Sequence, residues 1–413
     1  MKALLRLASC VLACTCCRLV SAQATRPAIV EELHATAPTT RRFVSAQPNV
    51  PYVPKPATQP VDWIVEHEPV TSNASPEAKA LLKFLYSISG KHTIIGQHNY
   101  PAQQEIFTKA ASGEFGKTPA LYGTDWGFAA AGDKDSAYIR REIVQELIKQ
   151  HRRGSIIALC WHQVRPTDDE PVTFRGSVQQ HLTDAQWDEL LTPGLPLNKH
   201  WAAQVDVIAE YLKQLQDAHV PVLWRPYHEI NGAWFWWNGR RGEHGGTRAL
   251  YRQLFDRLVN FHKLTNLIWV WNPDQPSTPD RQFVDYFPGH DVVDVLALDD
   301  YGPFQQPYYD DLNALSDGKV LAISECGNNF PTLDVYKTQP KWAYVMRWSF
   351  EPSRTPATRS ATSRPSRAPL ATDPALYPVI ANDVRMFSLE DQAYWQAIAP
   401  VRVAAGLPPT ANP

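Results

Sequence analysis

The sequence predicts an α/β protein of the (β/α)8 TIM-barrel class, with one folded domain over residues 73–400. Eight short apolar runs follow one another along the chain, and amphipathic helical stretches separate them. Near-continuous apolar strands between helices are typical of a parallel sheet covered on both faces, and eight such units predict a closed barrel. A barrel of this class fits in a chain of 413 residues with room for tails.

The elements can be placed in order along the chain. The domain begins with a helix, because Ser75 supplies an N-cap, Pro76 stands at the first helical position and Glu77 lies in the first turn. The predicted strands are residues 92–96, 120–123, 155–161, 220–226, 267–271, 292–298, 320–324 and 342–348. The clearest helices between them are residues 136–152, 199–218 and 247–264, and residues 388–398 resemble a final covering helix.

Composition and charge exclude several classes of protein. The chain has 40 Lys and Arg against 42 Asp and Glu, so it lacks the basic surface that nucleic-acid binding requires and no nucleic-acid partner is expected. Hydrophobic residues make up 44% of the chain, which is enough for a large core and excludes global disorder. Beyond the N-terminus no apolar run reaches the ~18 residues of a membrane span, so no transmembrane segment is predicted.

The N-terminus reads as a secretory signal peptide over residues 1–22. Lys2 and Arg6 precede an apolar stretch, and Val20-Ser21-Ala22 offers the small-residue pattern of a cleavage site. We therefore expect a secreted or periplasmic protein. Two alternatives stay open: a buried N-terminal helix, and a lipoprotein signal that would anchor the mature chain through Cys14.

The positions of proline indicate which segments lie outside the barrel, and the positions of cysteine limit the possible disulfides and metal sites. Residues 23–72 contain eight Pro and predict a linker or an arm lying on the domain, residues 351–372 predict a low-complexity insertion, and residues 401–413 predict a tail. Only Cys160 and Cys326 lie outside the N-terminal segment, so neither a disulfide framework nor a Cys-rich zinc site can form. Both are predicted to be buried free thiols.

Polar residues at the ends of the predicted strands are the candidates for function, because barrels of this class build their sites at the C-terminal ends of the strands. In chain order these residues are Trp161, His162, Arg225, His228, Glu229, Trp271, Asn272, Asp299, Asp300, Tyr301, Ser324, Glu325, Arg347 and Trp348. Glu229 and Glu325 follow strongly apolar runs, and carboxylates are rarely buried unless they are paired or functional.

Period-two alternation predicts where the two carboxylates point. It places Arg225, Tyr227 and Glu229 on one side of the fourth strand, and Leu321, Ile323 and Glu325 on one side of the seventh. The ends of these strands face each other across the barrel mouth. A pair of carboxyls about 5 to 5.5 Å apart is what retaining glycoside hydrolysis requires, and a nearby cation such as Arg225 would keep one of them charged.

Other interpretations of these residues remain. Glu229 and Glu325 could be structural ion-pair partners of Arg225 and Arg347, and His162 and His228 could be buried histidines without a role. A site of two histidines and two carboxylates could hold a metal ion. However, no HExxH or comparable ligand spacing is present, so we expect neither a metal nor another cofactor.

Tryptophans gather at the predicted strand ends. Residues 234–237 are four consecutive aromatic residues just after Glu229, a poor core segment but a suitable surface for stacking on sugar rings. A hydrophobic cap under a loop is the alternative for any one ring. The Trp residues at or just beyond strand ends are Trp126, Trp161, Trp234, Trp236, Trp237, Trp271 and Trp348, and together they predict a sugar-binding cleft.

Around these residues the chain resembles glycoside hydrolase family 26, whose members are mostly β-mannanases on a (β/α)8 barrel. The resemblance rests mainly on residues 224–237, WRPYHEINGAWFWW. It extends in the expected order to Trp161-His162, Asp299-x-Tyr301, Ser324-Glu325 and Trp348, and it covers roughly residues 75–400.

The resemblance implies a retaining, double-displacement mechanism. Glu229 matches the acid/base of the family and Glu325 its nucleophile, with Tyr301 expected to hydrogen-bond the nucleophile. The residues expected to bind substrate are Trp161, His162, Arg225, His228, Trp234, Asp299, Tyr301 and Trp348. Among them, Trp234 and Trp348 match aromatic platforms for the sugar.

The sequence departs from the family at Ile230, where Met is usual, and at Asn238, where Gly is common. The expected substrate is a neutral polysaccharide of the mannan type. The enzyme is expected to be a monomer and to be endo-acting. Mixed-linkage β-glucan and β-1,3-xylan are alternatives within the family. A non-catalytic carbohydrate-binding barrel is a further alternative, but it should have lost one of the two Glu residues.

Overall fold

The barrel is described by a computed structural model over residues 64–130, 134–242, 245–349 and 371–410. The predictions for residues 1–22, for most of residues 23–72 and for residues 351–370 fall outside these ranges. Across the described ranges, no helix has both the length and the apolar character that a membrane crossing needs.

Within the described residues, eight parallel strands form a closed barrel. They pair in chain order, and the eighth strand pairs with the first, as at Ile94 and Tyr344. The predicted fold class is therefore confirmed, and each predicted apolar run overlaps one strand. The strands are β1 Thr93–His98, β2 Leu121–Asp125, β3 Ile156–Trp161, β4 Val222–Pro226, β5 Leu267–Trp271, β6 Val295–Asp300, β7 Val320–Cys326 and β8 Trp342–Arg347.

Helices surround the barrel and carry the chain from the end of one strand to the start of the next. They are α1 Pro76–Ile88, α2 Ile106–Phe115, α3 Arg140–Arg153, α4 Asp184–Leu191, α5 Pro196–Asp217, α6 Thr247–Phe255, α7 Phe283–Tyr286, α8 Gln306–Ser316, α9 Val335–Thr338, α10 Leu376–Ala381 and α11 Gln392–Ala404. The predicted helix at residues 247–264 is in fact α6 followed by a π-helical turn, Asp256–Phe261.

The core has two layers, one between the strands and the helices and one inside the barrel. Large side chains such as Trp224, Trp269 and Trp342 pack with helix residues in the outer layer. The inside of the barrel is filled by apolar residues of mixed size, such as Ala158, Ala297 and Ile268.

Two helices close the N-terminal end of the barrel. Apolar residues of α1 and α11 belong to the same core cluster as the barrel interior, and the hydroxyl of Tyr394 on α11 donates to the carbonyl of Gly154 at 2.6 Å, just before β3. The last helix starts later than predicted because Asp391 accepts hydrogen bonds from the backbone and hydroxyl of Ser388 in the preceding turn. It also continues past residue 400, into the segment predicted as a tail.

Residues 64–72 lie beside the N-terminal ends of β5, β6 and β7. The amide of Val65 donates to the carbonyl of Gly318 at 3.2 Å, and the amide of Val70 donates to Asp294 Oδ1 at 2.8 Å. The other carboxylate oxygen of Asp294 accepts from the amide of Trp269 at 2.8 Å. Burial raises the pKa of Asp294 to about 6. This carboxyl therefore links the segment before α1 to β5.

Candidate active site

The turn after β4 presents Glu229. The strand ends at Pro226, and the backbones of Tyr227 and Glu229 both lie in the left-handed region, with φ of 49° and 51°. Such residues are uncommon outside glycine and cluster where a side chain must be aimed against the local trend. The predicted alternation is wrong for Tyr227, whose hydroxyl accepts from Trp201 Nε1 at 2.9 Å. Tyr227 therefore packs in the outer layer while Glu229 reaches the mouth.

A β-bulge presents Glu325. In the pairing of β6 with β7, Leu298 faces Ile323 but the next residue, Asp299, faces Glu325, so Ser324 is skipped. Leu321 and Ile323 belong to the outer layer. The prediction that they share a side with Glu325 is therefore wrong, because the bulge turns the carboxylate into the barrel mouth.

The two carboxylates meet over the middle of the mouth. One carboxylate oxygen each from Glu229, Asp299 and Glu325 can be chosen such that all three lie within 4.8 Å of one another. The sequence predicted this meeting of Glu229 and Glu325. The third carboxyl, Asp299, lies beneath them.

Glu229 sits in surroundings that favour its protonated form. Glu229 is 9% exposed. Trp234 Nε1 donates a hydrogen bond to its Oε2, which lowers the pKa but is outweighed by the other contributions. Burial raises the pKa of Glu229 well above its usual range, and the negative charges of Asp274 and Glu325 raise it further. A carboxyl with these neighbours can deliver a proton at neutral pH.

Glu325 has donors on both oxygens. Arg225 Nη2 lies 2.5 Å from Oε1, and the hydroxyl of Tyr301 lies 2.7 Å from Oε2. Burial raises the pKa of Tyr301 well above its usual range, as does the charge of Glu325, so the phenol stays a donor. A guanidinium and a phenol thus hold the carboxylate in one orientation, as a nucleophile requires.

Arg225 is itself fixed from below. Its Nε donates to Asn272 Oδ1 at 2.9 Å and its Nη1 donates to the carbonyl of Ser324 at 3.0 Å. Asn272 in turn donates to Asp299 Oδ1 at 2.8 Å. Burial, followed by the charge of Glu325, raises the pKa of Asp299 well above its usual range. With Asp299 neutral, the charge of Arg225 is directed to Glu325.

Two histidines stand beside the carboxylates. His162 Nδ1 lies 2.9 Å from Asp125 Oδ2, and the ring of His162 meets that of His228 edge to face at 4.4 Å. His228 Nε2 lies 3.9 Å from Glu325 Oε1. Burial lowers the pKa of His228 well below its usual range, and the neighbouring His162 lowers it further. His228 is therefore a neutral, polar wall of the site.

Comparison with known proteins agrees with this geometry. A sequence profile of glycosyl hydrolase family 26 matches residues 70–363. The chain belongs to glycosyl hydrolase family 26. This assignment confirms the resemblance that residues 224–237 carry.

Relatives within family 26 span much of the chain. A mannan endo-1,4-beta-mannosidase of Thermothelomyces thermophilus is 34% identical over 291 residues, which are 67% of this chain and 56% of that protein. The chain thus spans little more than half of that relative. A mannan endo-1,4-beta-mannosidase of Bacillus subtilis is 28% identical over 68% of this chain and 82% of its own length.

Solved family 26 structures have the same fold. GH26A from Muricauda sp. MAR_2010_75 superposes with a TM-score of 0.67 at 38% identity, covering 77% of this chain and 98% of that one. A beta-mannanase from a symbiotic protist of the termite Reticulitermes speratus, solved in complex with a gluco-manno-oligosaccharide, superposes with a TM-score of 0.63 at 28% identity. The match covers 79% of this chain and 98% of that one.

The aromatic residues divide into two groups that the sequence did not separate. Trp234 and Trp348 are partly exposed, as expected of family 26 sugar platforms, and Trp348 stacks on His98 at 3.7 Å between ring centroids. The other Trp residues near the strand ends, all buried, are Trp126, Trp161, Trp236, Trp237 and Trp271. The interpretation of all seven as a cleft is therefore wrong for these five.

Several residues predicted to bind substrate have other placements. Trp161 is 2% exposed and packs against Trp224 in the outer layer, because the alternation of β3 points it away from the barrel interior. Arg225, His228 and Asp299 are covered almost completely. They support Glu325 from beneath or beside it and offer little surface to a sugar.

Two polar residues of the site were missed because their strands are longer than predicted. β1 runs on to His98 and β2 to Asp125, two residues beyond the ends of the predicted runs. Asp125 accepts from the backbone amide of His162 at 3.0 Å as well as contacting its ring. Burial raises the pKa of Asp125, but the charge and hydrogen bonds of His162 lower it overall. Had the two predicted runs been extended by two residues, His98 and Asp125 would have been recognised as strand-end residues.

Asn238, one of the departures from the family pattern, stabilises the loop of residues 229–238 that follows β4. Its Nδ2 donates to the carbonyl of Glu229 at 2.8 Å. Its Oδ1 accepts from the amide of Trp234 at 3.1 Å and from that of Phe235 at 2.9 Å. The side chain therefore joins the backbone of Glu229 to that of Trp234, the residue that hydrogen-bonds the Glu229 carboxyl.

Replacing Asn238 with Ala should lower kcat on the order of 10-fold, since small displacements of a catalytic group are costly. Asn198→Ala is a matched control, because Asn198 makes the same kind of bridge between the backbones of Leu190 and Gly194. Steady-state kinetics and thermal unfolding of both variants make the comparison. Equal kcat values for the two variants would show that the Asn238 bridge has no part in aiming Glu229.

The alternative interpretations fare differently. Arg225 does pair with Glu325, but Arg347 bonds to Glu114 on α2 and to Gln97 and has no part in the carboxylate cluster. The three carboxyls are close enough to hold a metal ion. Two of them, Glu229 and Asp299, have raised pKa values, and the guanidinium of Arg225 beside Glu325 disfavours a cation.

Proposed function

We propose that the protein is an endo-acting β-1,4-mannanase that cleaves mannan, galactomannan or glucomannan with retention of configuration. The carboxylate pair carries the proposal: oxygens of Glu229 and Glu325 lie within 4.8 Å of each other. Retaining enzymes place their carboxyls about 5 to 5.5 Å apart, whereas inverting enzymes leave about 6.5 to 9.5 Å for a water molecule. The names of the family relatives support the mannan substrate.

The surroundings of the two carboxyls assign their roles in the proposed reaction. Glu229, whose pKa is raised by burial and by Asp274, donates its proton to the glycosidic oxygen. At the same time Glu325, oriented by Arg225 and Tyr301, attacks the anomeric carbon to form a glycosyl-enzyme. The deprotonated Glu229 then takes a proton from water, which hydrolyses the intermediate.

The pH dependence should report the pKa of Glu229. Hydrolysis requires protonated Glu229 in the first step, so kcat/KM falls as the pH rises through its raised pKa. Asp274→Asn removes a negative charge that raises this pKa. The basic limb of the kcat/KM profile should therefore move to lower pH, by roughly half a unit to one unit.

Asp280→Asn is the matched control for the pH profile, because Asp280 is an exposed carboxylate on the same loop and bonds to Thr278. It should leave the basic limb unchanged. A profile of Asp274→Asn that coincides with the wild-type profile would remove the electrostatic explanation of the acid role.

A substrate screen tests the proposed function. Purified protein is incubated with galactomannan, glucomannan, mixed-linkage β-glucan and β-1,3-xylan, with EDTA in a parallel series, and product sizes are recorded over time. We expect a mixture of oligosaccharides from the mannans, unchanged by EDTA. Preferential cleavage of mixed-linkage glucan or xylan would contradict the proposed mannan substrate. Monosaccharide as the sole early product would contradict endo action. Loss of activity in EDTA would favour a metal-dependent hydrolase.

We also propose that the protein is secreted or periplasmic, on the signal-like sequence of residues 1–22. Mass spectrometry of the mature N-terminus in the native host tests this. A start near residue 23 fits a cleaved signal, a lipid-modified Cys14 fits the anchored alternative, and a retained Met1 would contradict export by either route.

A further inference from the structure

Asn329 joins the two loops that carry Glu325 and Tyr301. It lies four residues after Glu325, in the loop that follows β7, and it is 4% exposed. Its Nδ2 donates to the carbonyl of Asp300 at 2.9 Å and to that of Gly302 at 2.6 Å. Both carbonyls flank Tyr301 directly.

The side-chain oxygen of Asn329 binds the loop that carries Glu325. Asn329 Oδ1 accepts from the amide of Gly327 at 2.7 Å, two residues after Glu325. Two carbonyl partners and one N–H partner match the two donors and the acceptor of an asparagine in one orientation only. No other residue type of this size supplies the same set.

The backbone on either side of Asn329 is anchored independently. The carbonyl of Asn328 accepts from the amide of Thr372 at 2.8 Å and from the hydroxyl of Tyr377 at 3.1 Å. Thr372 Oγ1 donates to the carbonyl of Phe330 at 2.5 Å. The backbone of Asn329 is therefore held in place, and its side-chain amide can restrain the loop that carries Tyr301.

We propose that Asn329 is a positioning residue for the nucleophile, acting through Tyr301; this inference rests on the proposed retaining function. By holding the backbone on both sides of Tyr301, Asn329 keeps the phenol 2.7 Å from Glu325 Oε2. Without that restraint the phenol and the carboxylate can separate. The nucleophile then spends less time in the geometry that attacks the anomeric carbon.

The test is a double-mutant cycle between Asn329 and Tyr301 in the full chain, with galactomannan as substrate. Asn329→Asp keeps the acceptor for Gly327 but replaces the donors by an oxygen facing two carbonyls, and Asn329→Ala removes all three bonds. Either change should lower kcat on the order of 10-fold to 100-fold, with KM within about twofold. In a Tyr301→Phe background, where the hydrogen bond is already absent, the same changes should cost less than about threefold.

Asn266→Ala is the control for a purely structural effect. Asn266 is fully buried at the other end of the barrel, where its Nδ2 donates to the carbonyl of Val220 at 3.0 Å. It should lower the midpoint of thermal unfolding without changing kcat. Should Asn329→Ala fail to fold, the cycle is run with Asn329→Asp alone.

Three results would overturn the inference: an unchanged kcat for Asn329→Asp, a rise in KM with kcat intact, or equal losses in the wild-type and Tyr301→Phe backgrounds. A fully active Glu325→Ala would overturn the proposed function instead. Additive losses together with an inactive Glu325→Ala would overturn only the role assigned to Asn329.

Discussion

Glu325→Ala is expected to lower kcat on galactomannan on the order of 10⁵-fold, the scale seen when a hydrolase loses its nucleophile. The reason is geometric and electrostatic. Glu325 is the carboxylate held by Arg225 and Tyr301. Burial and the charge of Glu325 raise the pKa of the nearest alternative, Asp299, so it is a poor substitute.

Azide distinguishes loss of the nucleophile from loss of the fold. A small external nucleophile can occupy the space that the side chain leaves, so azide should restore part of the activity of Glu325→Ala and yield a glycosyl azide of inverted configuration. Glu114→Ala removes a carboxylate that pairs with Arg347 outside the cluster and should keep near-wild-type kcat. Near-full activity of Glu325→Ala without azide would refute the assignment.

Glu229→Ala should lower kcat on galactomannan by about 10²-fold to 10⁴-fold, the usual contribution of a general acid and base. The loss should depend on the leaving group. A sugar hydroxyl needs a proton to leave, whereas a nitrophenolate leaves without one. The mutation should therefore slow the cleavage of a nitrophenyl mannoside far less than it slows the cleavage of the polysaccharide. The two substrates are compared by measuring the initial glycosylation step in a stopped-flow instrument.

The leaving-group comparison also tests the link between Glu229 and its neighbours. Trp234→Phe removes the N–H that contacts Glu229 Oε2 but keeps an aromatic ring in the cleft. It serves as the matched control and should lose much less than Glu229→Ala on the polysaccharide. Equal losses on both substrates for Glu229→Ala would contradict the acid role.

The barrel and its two carboxylates could be predicted, because strand-end reasoning uses only hydropathy and chain order. The predicted cause of their meeting was incomplete, however. Regular alternation would have sent Glu325 to the outer layer with Ile323, and the bulge at Ser324 reverses it. Glu229 and Tyr227, two residues before it, both have left-handed backbones that no periodic pattern anticipates. The bulge depends on pairing with the neighbouring strand, and the left-handed residues lie in the turn beyond β4.

Burial of the tryptophans is the main point at which the sequence misled. A Trp at a strand end can face the mouth or the helices, and one position along the strand decides between them. Trp161 and Trp271 face the outer layer, while Trp348 follows the parity of the interior residues and stacks on His98. Asn238 and Asn329 could not be recognised because their partners are backbone atoms brought together only by the folded loops.

The stereochemistry of the first product tests the central claim most directly. Purified protein cleaves a β-1,4-linked mannooligosaccharide in an NMR tube, and the anomeric proton of the new reducing end is followed before mutarotation sets in. A carboxylate pair within 4.8 Å predicts that the β-anomer appears first and then equilibrates. Initial formation of the α-anomer would show inversion and would contradict the assignment of Glu325 as the nucleophile.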